Sequence, residues 1–160
     1  MMEMHIQQTR NPKILANLIQ GTHQVFHEKY PHYFKPFNFD AAEQYFTPLV
    51  EQEQNEFHVL YDLYDGNEMV GFIWSYIDKQ EESPLTEQTM TLYIKKVVVH
   101  PNHRNRGYGQ QLVEYMETLA KEKRCQFVEV ELWYLDDDVV QFLQKSDYTL
   151  IKGNVWKAIS

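Results

Sequence analysis

Arg104, Asn105, Arg106, Gly107, Tyr108 and Gly109 follow the run Val97-Val98-Val99-His100-Pro101 and lead into a helical pattern. A strand, a turn carrying two glycines and then a helix is the sequence form of an anion site. First-turn amides of a helix have no intrahelical partners, and the helix dipole adds positive potential where they point. Gly107 and Gly109 would let the backbone approach such a ligand closely. Two familiar phosphate loops do not fit. No Lys-Ser or Lys-Thr follows Gly109, and Leu112 stands where a dinucleotide fingerprint needs its third glycine.

Other chemistry-bearing residues suggest less. His23 and His27 lie one helical turn apart, as metal-binding histidines do, but Gln24 stands beside them where a zinc protease needs its Glu. His100 and His103 straddle a proline turn and lack a third ligand, so no metal site is expected. No G-x-S-x-G elbow exists for a serine nucleophile. Cys125 opens a strand-like run and reads as a small buried residue.

The elements that must position these residues are legible from periodicity. Met4 to Arg10 reads as a first strand, and Asn11-Pro12 starts a helix whose stripe is Ile14, Leu15, Leu18, Ile19, Thr22 and Phe26. After the aromatic loop at 31–39, Asp40 is the expected N-cap of a second helix with Ala42, Tyr45, Phe46 and Leu49 on its apolar face. Phe57, Val59, Tyr61 and Leu63 alternate up to Asp65-Gly66, a hairpin signal because that turn needs positive φ, and the chain resumes as a strand over 69–77. A fourth strand begins at Thr89. Its apolar parity, set by Met90, Leu92 and Ile94, slips after Lys95-Lys96 to Val97 and Val99, the mark of a β-bulge or of a fully buried strand end. A helix from Gly107 with Leu112, Val113, Met116, Leu119 and Ala120 on one face follows. Residues 126–134 read as a strand, 136–145 as a short helix and 149–159 as a hairpin turning at Gly153-Asn154.

The expected class is therefore α/β (α+β): a mixed, mostly antiparallel sheet of six to seven strands with about four helices on both faces, in the order β-α-α-β-β-β-α-β-α-β-β. A length of 160 residues bounds this to a single domain over 1–160. The formal charge of −8 argues against nucleic-acid binding, which rests on clustered Lys and Arg. One cysteine excludes an internal disulfide and fits a reducing compartment. With no apolar run near the roughly 20 residues of a membrane span, and no signal peptide in MMEMHIQQ, the expectation is a cytoplasmic protein with no membrane partner.

The pattern Arg104-x-x-Gly107-x-Gly109, with its strand before and helix after, resembles the acyl-CoA signature [QR]-x-x-G-x-[GA] of the GNAT superfamily of N-acetyltransferases, and the element order agrees with that family from residue 4 to 159. The resemblance implies acetyl-CoA as acyl donor and an amine as acceptor, with a homodimer as one expected state. It implies that Arg104, Asn105, Arg106, Gly107, Tyr108 and Gly109 hold the pyrophosphate through backbone amides, and that main-chain groups of Val97 and Val99 run beside the pantetheine arm.

A second family region is matched by Val130, Leu132, Asp136, Val139, Phe142 and Tyr148, with Asp136 in place of the usual Asn, counted here with the cofactor-binding residues. Asp147 replaces Gly, and Leu143 replaces the tyrosine that often protonates the departing thiolate. Because thiols ionise near pH 8.5, the thiolate can leave without full protonation. Tyr134, at the end of strand five, is the favoured substitute donor, ahead of Tyr93 and Tyr148.

An alkylamine is mostly protonated at pH 7, so the reaction needs a base. Relatives often place a carboxylate on strand four, where this chain has Lys95 and Lys96. Glu131 or Glu129, on the parity opposite Val128 and Val130, is the candidate, acting through water. The basic pair suggests an acceptor that carries a carboxylate near its amine, with Lys95 as a substrate-binding residue. Tyr30, Tyr33 and Phe34 would wall the acceptor pocket. The missing tyrosine and strand-four carboxylate leave one alternative, an acyl-CoA sensor or scaffold without turnover.

Overall fold

The computed structural model describes residues 4–51, 58–133 and 143–159. The chain runs β1 (Met4–Gln8), α1 (Pro12–Lys29), α2 (Phe39–Glu51), β2 (His58–Asp65), β3 (Glu68–Gln80), β4 (Thr89–Val99), a 3-10 turn (Pro101–His103), α3 (Tyr108–Glu122) and β5 (Phe127–Val130). The sheet has the order β1-β2-β3-β4-β5. Its pairs are antiparallel except β4 with β5, which are parallel because α3 crosses between them.

Period-2 alternation sorts side chains to the two faces. Val59, Leu63, Ile73, Ile77, Leu92 and Ile94 meet Leu112, Val113, Met116 and Ala120 of α3 on one face. On the other, Leu60, Phe72, Trp74 and Val98 meet Leu15, Leu18 and Ile19 of α1 and Phe46 of α2. The Asn11 side chain accepts from the amides of Lys13 and Ile14, with Pro12 opening α1. Gly66 takes φ of 62° in the β2–β3 turn, as the Asp-Gly pair requires.

Three expectations need correction. Among the described residues the sheet has five strands and not six or seven, because residues 148–159 form none. Leu150, Ile151, Val155 and Ile159 of that segment are exposed; their alternation supplies β propensity, but a strand exists only where another edge pairs with it. Second, α2 is capped by Asn38, whose Oδ1 accepts from Ala41, while Asp40 lies inside the first turn. Third, β5 stops at Val130, four residues short of the expected end, and of the helix expected over 136–145 only 143–145, which are helical, lie among the described residues.

Asp62 is buried on the α1 side of β2, accepting a 2.6 Å hydrogen bond from Thr9 Oγ1. Burial raises its pKa to about 6, against a smaller lowering by that hydrogen bond. With the folded value above the unfolded 3.8, the unfolded chain loses its proton first as pH rises, so stability falls between pH 3.8 and 6 and stays lower above. A shift of that size corresponds to a penalty on the order of 3 kcal/mol at neutral pH. Asp62→Asn keeps an acceptor for Thr9 and removes the charge. Its Tm gain at pH 7.5 should exceed its gain at pH 4 by roughly 4–12 °C, and equal gains at both pH values would contradict this account.

Candidate functional site

The bulge that the parity slip suggested is present. Trp74 pairs with Lys96 and Ser75 with Ile94, so Lys95 is the extra residue on β4. Beyond it Lys96 and Val98 belong to the α1 and α2 side, while Val97 and Val99 pack toward α3. The β4–β5 ladder ends at the same point: Ile94 pairs with Val130, and the last bond runs from the Glu131 amide to the Ile94 carbonyl. From Lys96 to Val99, β4 is paired with β3 alone among the described residues, which leaves its other backbone edge without a strand partner.

The glycine turn stands at the far end of that edge. Gly107 caps α3 in the left-handed region with φ of 79°, leaving the first-turn amides without intrahelical acceptors. Arg104, Asn105, Arg106 and Gly107 are exposed. Tyr108 turns inward, its ring buried and its hydroxyl 3.5 Å from Asp65, so only its backbone faces outward from the turn. The two glycines differ. A Cβ at Gly109 would lie 3.8 and 3.9 Å from Val99 and Val97, ordinary contact, whereas at Gly107 the backbone itself disfavours a side chain. Gly107→Ala should therefore cost about 1–2 kcal/mol and lower Tm by several degrees, and Gly109→Ala should leave Tm unchanged or raised. Equal losses in thermal unfolding would refute the distinction.

Glu131 lies just past β5, where the ladder with β4 ends. Its carboxylate accepts from the Tyr93 hydroxyl at 3.0 Å and from Trp133 Nε1 at 3.2 Å. Burial, then the charge of Glu131, pushes the Tyr93 phenol well above its ordinary range, which keeps it a donor. Trp133 is the hub of an aromatic wall: its ring is 4.8 Å from Phe34, 5.2 Å from Tyr33, 5.4 Å from Tyr30 and 6.2 Å from Trp156. His23 and His27, spaced like metal ligands, hold this loop instead, donating to the carbonyls of Lys35 and Phe34 at 2.7 and 2.6 Å.

The two lysines diverge. Lys95 reaches over Trp74, 4.8 Å from the ring centroid, and its charge adds to burial in lowering the pKa of His58. Lys96 reaches over Phe26 of α1, also at 4.8 Å, into the field of Glu131. Burial lowers its pKa to about 8, partly offset by Glu131 and reinforced by Lys95. Tyr148 donates instead to Glu117 on α3 at 2.8 Å. Leu143 is buried. Tyr134 and Asp136 lie outside the described residues.

The fold thus brings Glu131, Tyr30, Tyr33 and Phe34 together and sets Lys95 toward α2. Sequence reasoning passed over Phe26, Trp133 and Trp156. The signal for Trp133 was present, since residues 131 and 133 share a strand parity. Phe26 and Trp156 carried none, because their proximity depends on how α1 and the C-terminal segment cross the sheet end.

The family model described as "Acetyltransferase (GNAT) family" matches residues 19–148. Among curated proteins none matches this sequence. Among solved structures, a tetramutant of the BH1408 protein from Bacillus halodurans has a TM-score of 0.82 at 15% identity, over 97% of this chain and 99% of that one. Aminoglycoside N-acetyltransferase AAC(6')-Iy, in complex with CoA, has a TM-score of 0.69 at 12% identity, over 99% and 95%. An aminoglycoside acetyltransferase, meta-AAC0020, from an uncultured soil metagenomic sample, in complex with sisomicin, has 0.61 at 18%, over 98% and 95%. At these identities the likeness is one of fold.

Proposed function

The chain belongs to the acetyltransferase (GNAT) family, and from that premise we propose that it transfers an acetyl group from acetyl-CoA to a primary amine of a small molecule or peptide. The observation that carries this reading is the parting of β4 from β5 at Ile94 and Val130, which sets an unpaired backbone edge between the glycine turn and Glu131. Acetyl-CoA supplies an activated acyl carbon and a thiolate leaving group. The features of this chain fit it. First-turn amides behind Gly107, flanked by exposed Arg104 and Arg106, suit a pyrophosphate, and the free edge from Lys96 to Val99 suits the amides of a pantetheine arm.

At the other end, Glu131 offers an oriented anion beside aromatic faces, a combination that draws in and desolvates an alkylammonium. Tyr93 and Trp133 fix the carboxylate so that it need not reorganise when the cation arrives. Thiol release from acetyl-CoA, measured with polyamines, amino acids, aminoglycosides and peptides, tests the proposal. Release with at least one amine is expected.

A second reading, an acyl-CoA sensor, is favoured by Leu143, a buried side chain with no proton to give at the position where relatives carry tyrosine. Acetyl-CoA binding without thiol release on any amine would favour it.

A further inference from the structure

A primary amine reaches this site as an ammonium and must shed a proton before its lone pair can attack. Glu131 attracts the cation, yet its two oxygens already accept from Tyr93 and Trp133. The bulge brings a second group to the same place. Because Lys95 takes up the extra position, Lys96 turns off the α3 side and projects over Phe26, whose ring lies 6.3 Å from Trp133, the residue that donates to Glu131. Among the described residues no carboxylate forms a salt bridge with its ammonium, and its contact on α1 is an uncharged ring. The charged groups that act on it are Glu131, just past β5, and Lys95 of β4.

We propose that Lys96 is the catalytic base, its neutral Nζ taking the proton from the acceptor ammonium that Glu131 holds. This rests on the transferase reading above and assigns the step that reading leaves open. One proton passes from the acceptor nitrogen to Lys96 Nζ and on to solvent. The freed nitrogen forms the bond to the acyl carbon as the carbon–sulfur bond breaks, and the second proton lost from that nitrogen ends on the departing sulfur. A lysine lowered to about 8 suits the role, since a base works best when it titrates near the working pH. The arrangement would let a family member work with lysines on β4: a lysine serves as the base, and a carboxylate just past the neighbouring strand takes over attraction of the cation.

The test uses the full chain with tyramine and spermidine as probe acceptors. In the wild type, kcat/KM should rise with pH to a limb near 8. Lys96→Arg keeps a cation that cannot give up its proton, and Lys96→Met keeps the bulk; each should lower kcat/KM at pH 8 on the order of 10²-fold or more and abolish that limb, with the dissociation constant of acetyl-CoA unchanged. Independently of turnover, labelling of Lys96 by acetic anhydride as a function of pH, read by mass spectrometry, should report titration near 8, and lower in Glu131→Gln, where the group favouring its charged form is gone.

Wild-type rates and pH profile retained in Lys96→Arg would overturn the base role and leave Lys96 as a fixed cation. Labelling that follows an ordinary lysine would overturn it too. No thiol release from the wild type with any amine, acetyl-CoA still binding, would instead remove the transferase reading itself.

Discussion

Glu131→Gln lowers kcat/KM for an amine acceptor on the order of 10²-fold, most of it through KM, while acetyl-CoA binds as before. The substitution removes the negative charge and turns one acceptor oxygen into an amide donor: the oxygen that stays can accept from Trp133, and the Tyr93 hydroxyl, which also accepts, can take the new N–H. An ammonium leaving water for a site walled by Tyr30, Tyr33, Phe34 and Trp133 keeps the favourable ring faces but has lost its counter-ion. Steady-state kinetics with the best acceptor of the amine panel provide the measurement. A kcat/KM within threefold of wild type would mean that the cation is held elsewhere.

The second large effect concerns the helix that carries the glycine turn. Leu112 is fully buried under α3, and a Cβ on Gly71 of β3 would lie 3.1 Å from its Cδ1 and 3.3 Å from the Val98 carbonyl. Leu112→Ala removes packing and leaves a void, costing about 2–5 kcal/mol and lowering Tm by roughly 4–20 °C. Gly71→Ala fails for the opposite reason. The contact is tighter than ordinary packing and one of the neighbours is backbone, so about 1–3 kcal/mol is expected. The methyl that crowds Leu112 would partly fill the space Leu112→Ala empties, so the double variant should lose less than the sum of the two. Strict additivity in a thermal or denaturant double-mutant cycle would show that the two side chains do not share that space.

What could be read from the sequence, and what could not, divides by range. The Asp65-Gly66 hairpin, the Asn11-Pro12 helix start and the slip of parity after Lys95 are local, because each is set by the conformational needs of a few adjacent residues. The GNAT family, too, was legible in a short pattern set between a strand and a helix, and the family model bears it out. Other expectations failed where two solutions are locally equal. Asn38 and Asp40 are both good caps, and only the entry path of the chain selects Asn38.

The closing hairpin failed for another reason: alternation in 149–159 states a preference, and no local rule supplies the edge that would satisfy it. The aromatic cluster was half legible. Its loop stands out in composition, but that Trp133 would join it, or that Lys96 would lie over Phe26 and Lys95 over Trp74, depends on the roll of α1 across the sheet.

Lys95, the extra residue of the bulge, is one more than the alternation of β4 needs. Take that residue away and Ile94 would be followed by Lys96, Val97 and Val98 in regular alternation, each still on its present face. Both hydrophobic layers would keep their composition, and β4 would run on past Ile94 without the irregularity beside which its ladder with β5 now ends. That irregularity is set by how many residues β4 contains and not by which they are. Point substitution at Lys95 keeps the extra residue, whereas loss of a single codon would remove it and leave both layers intact.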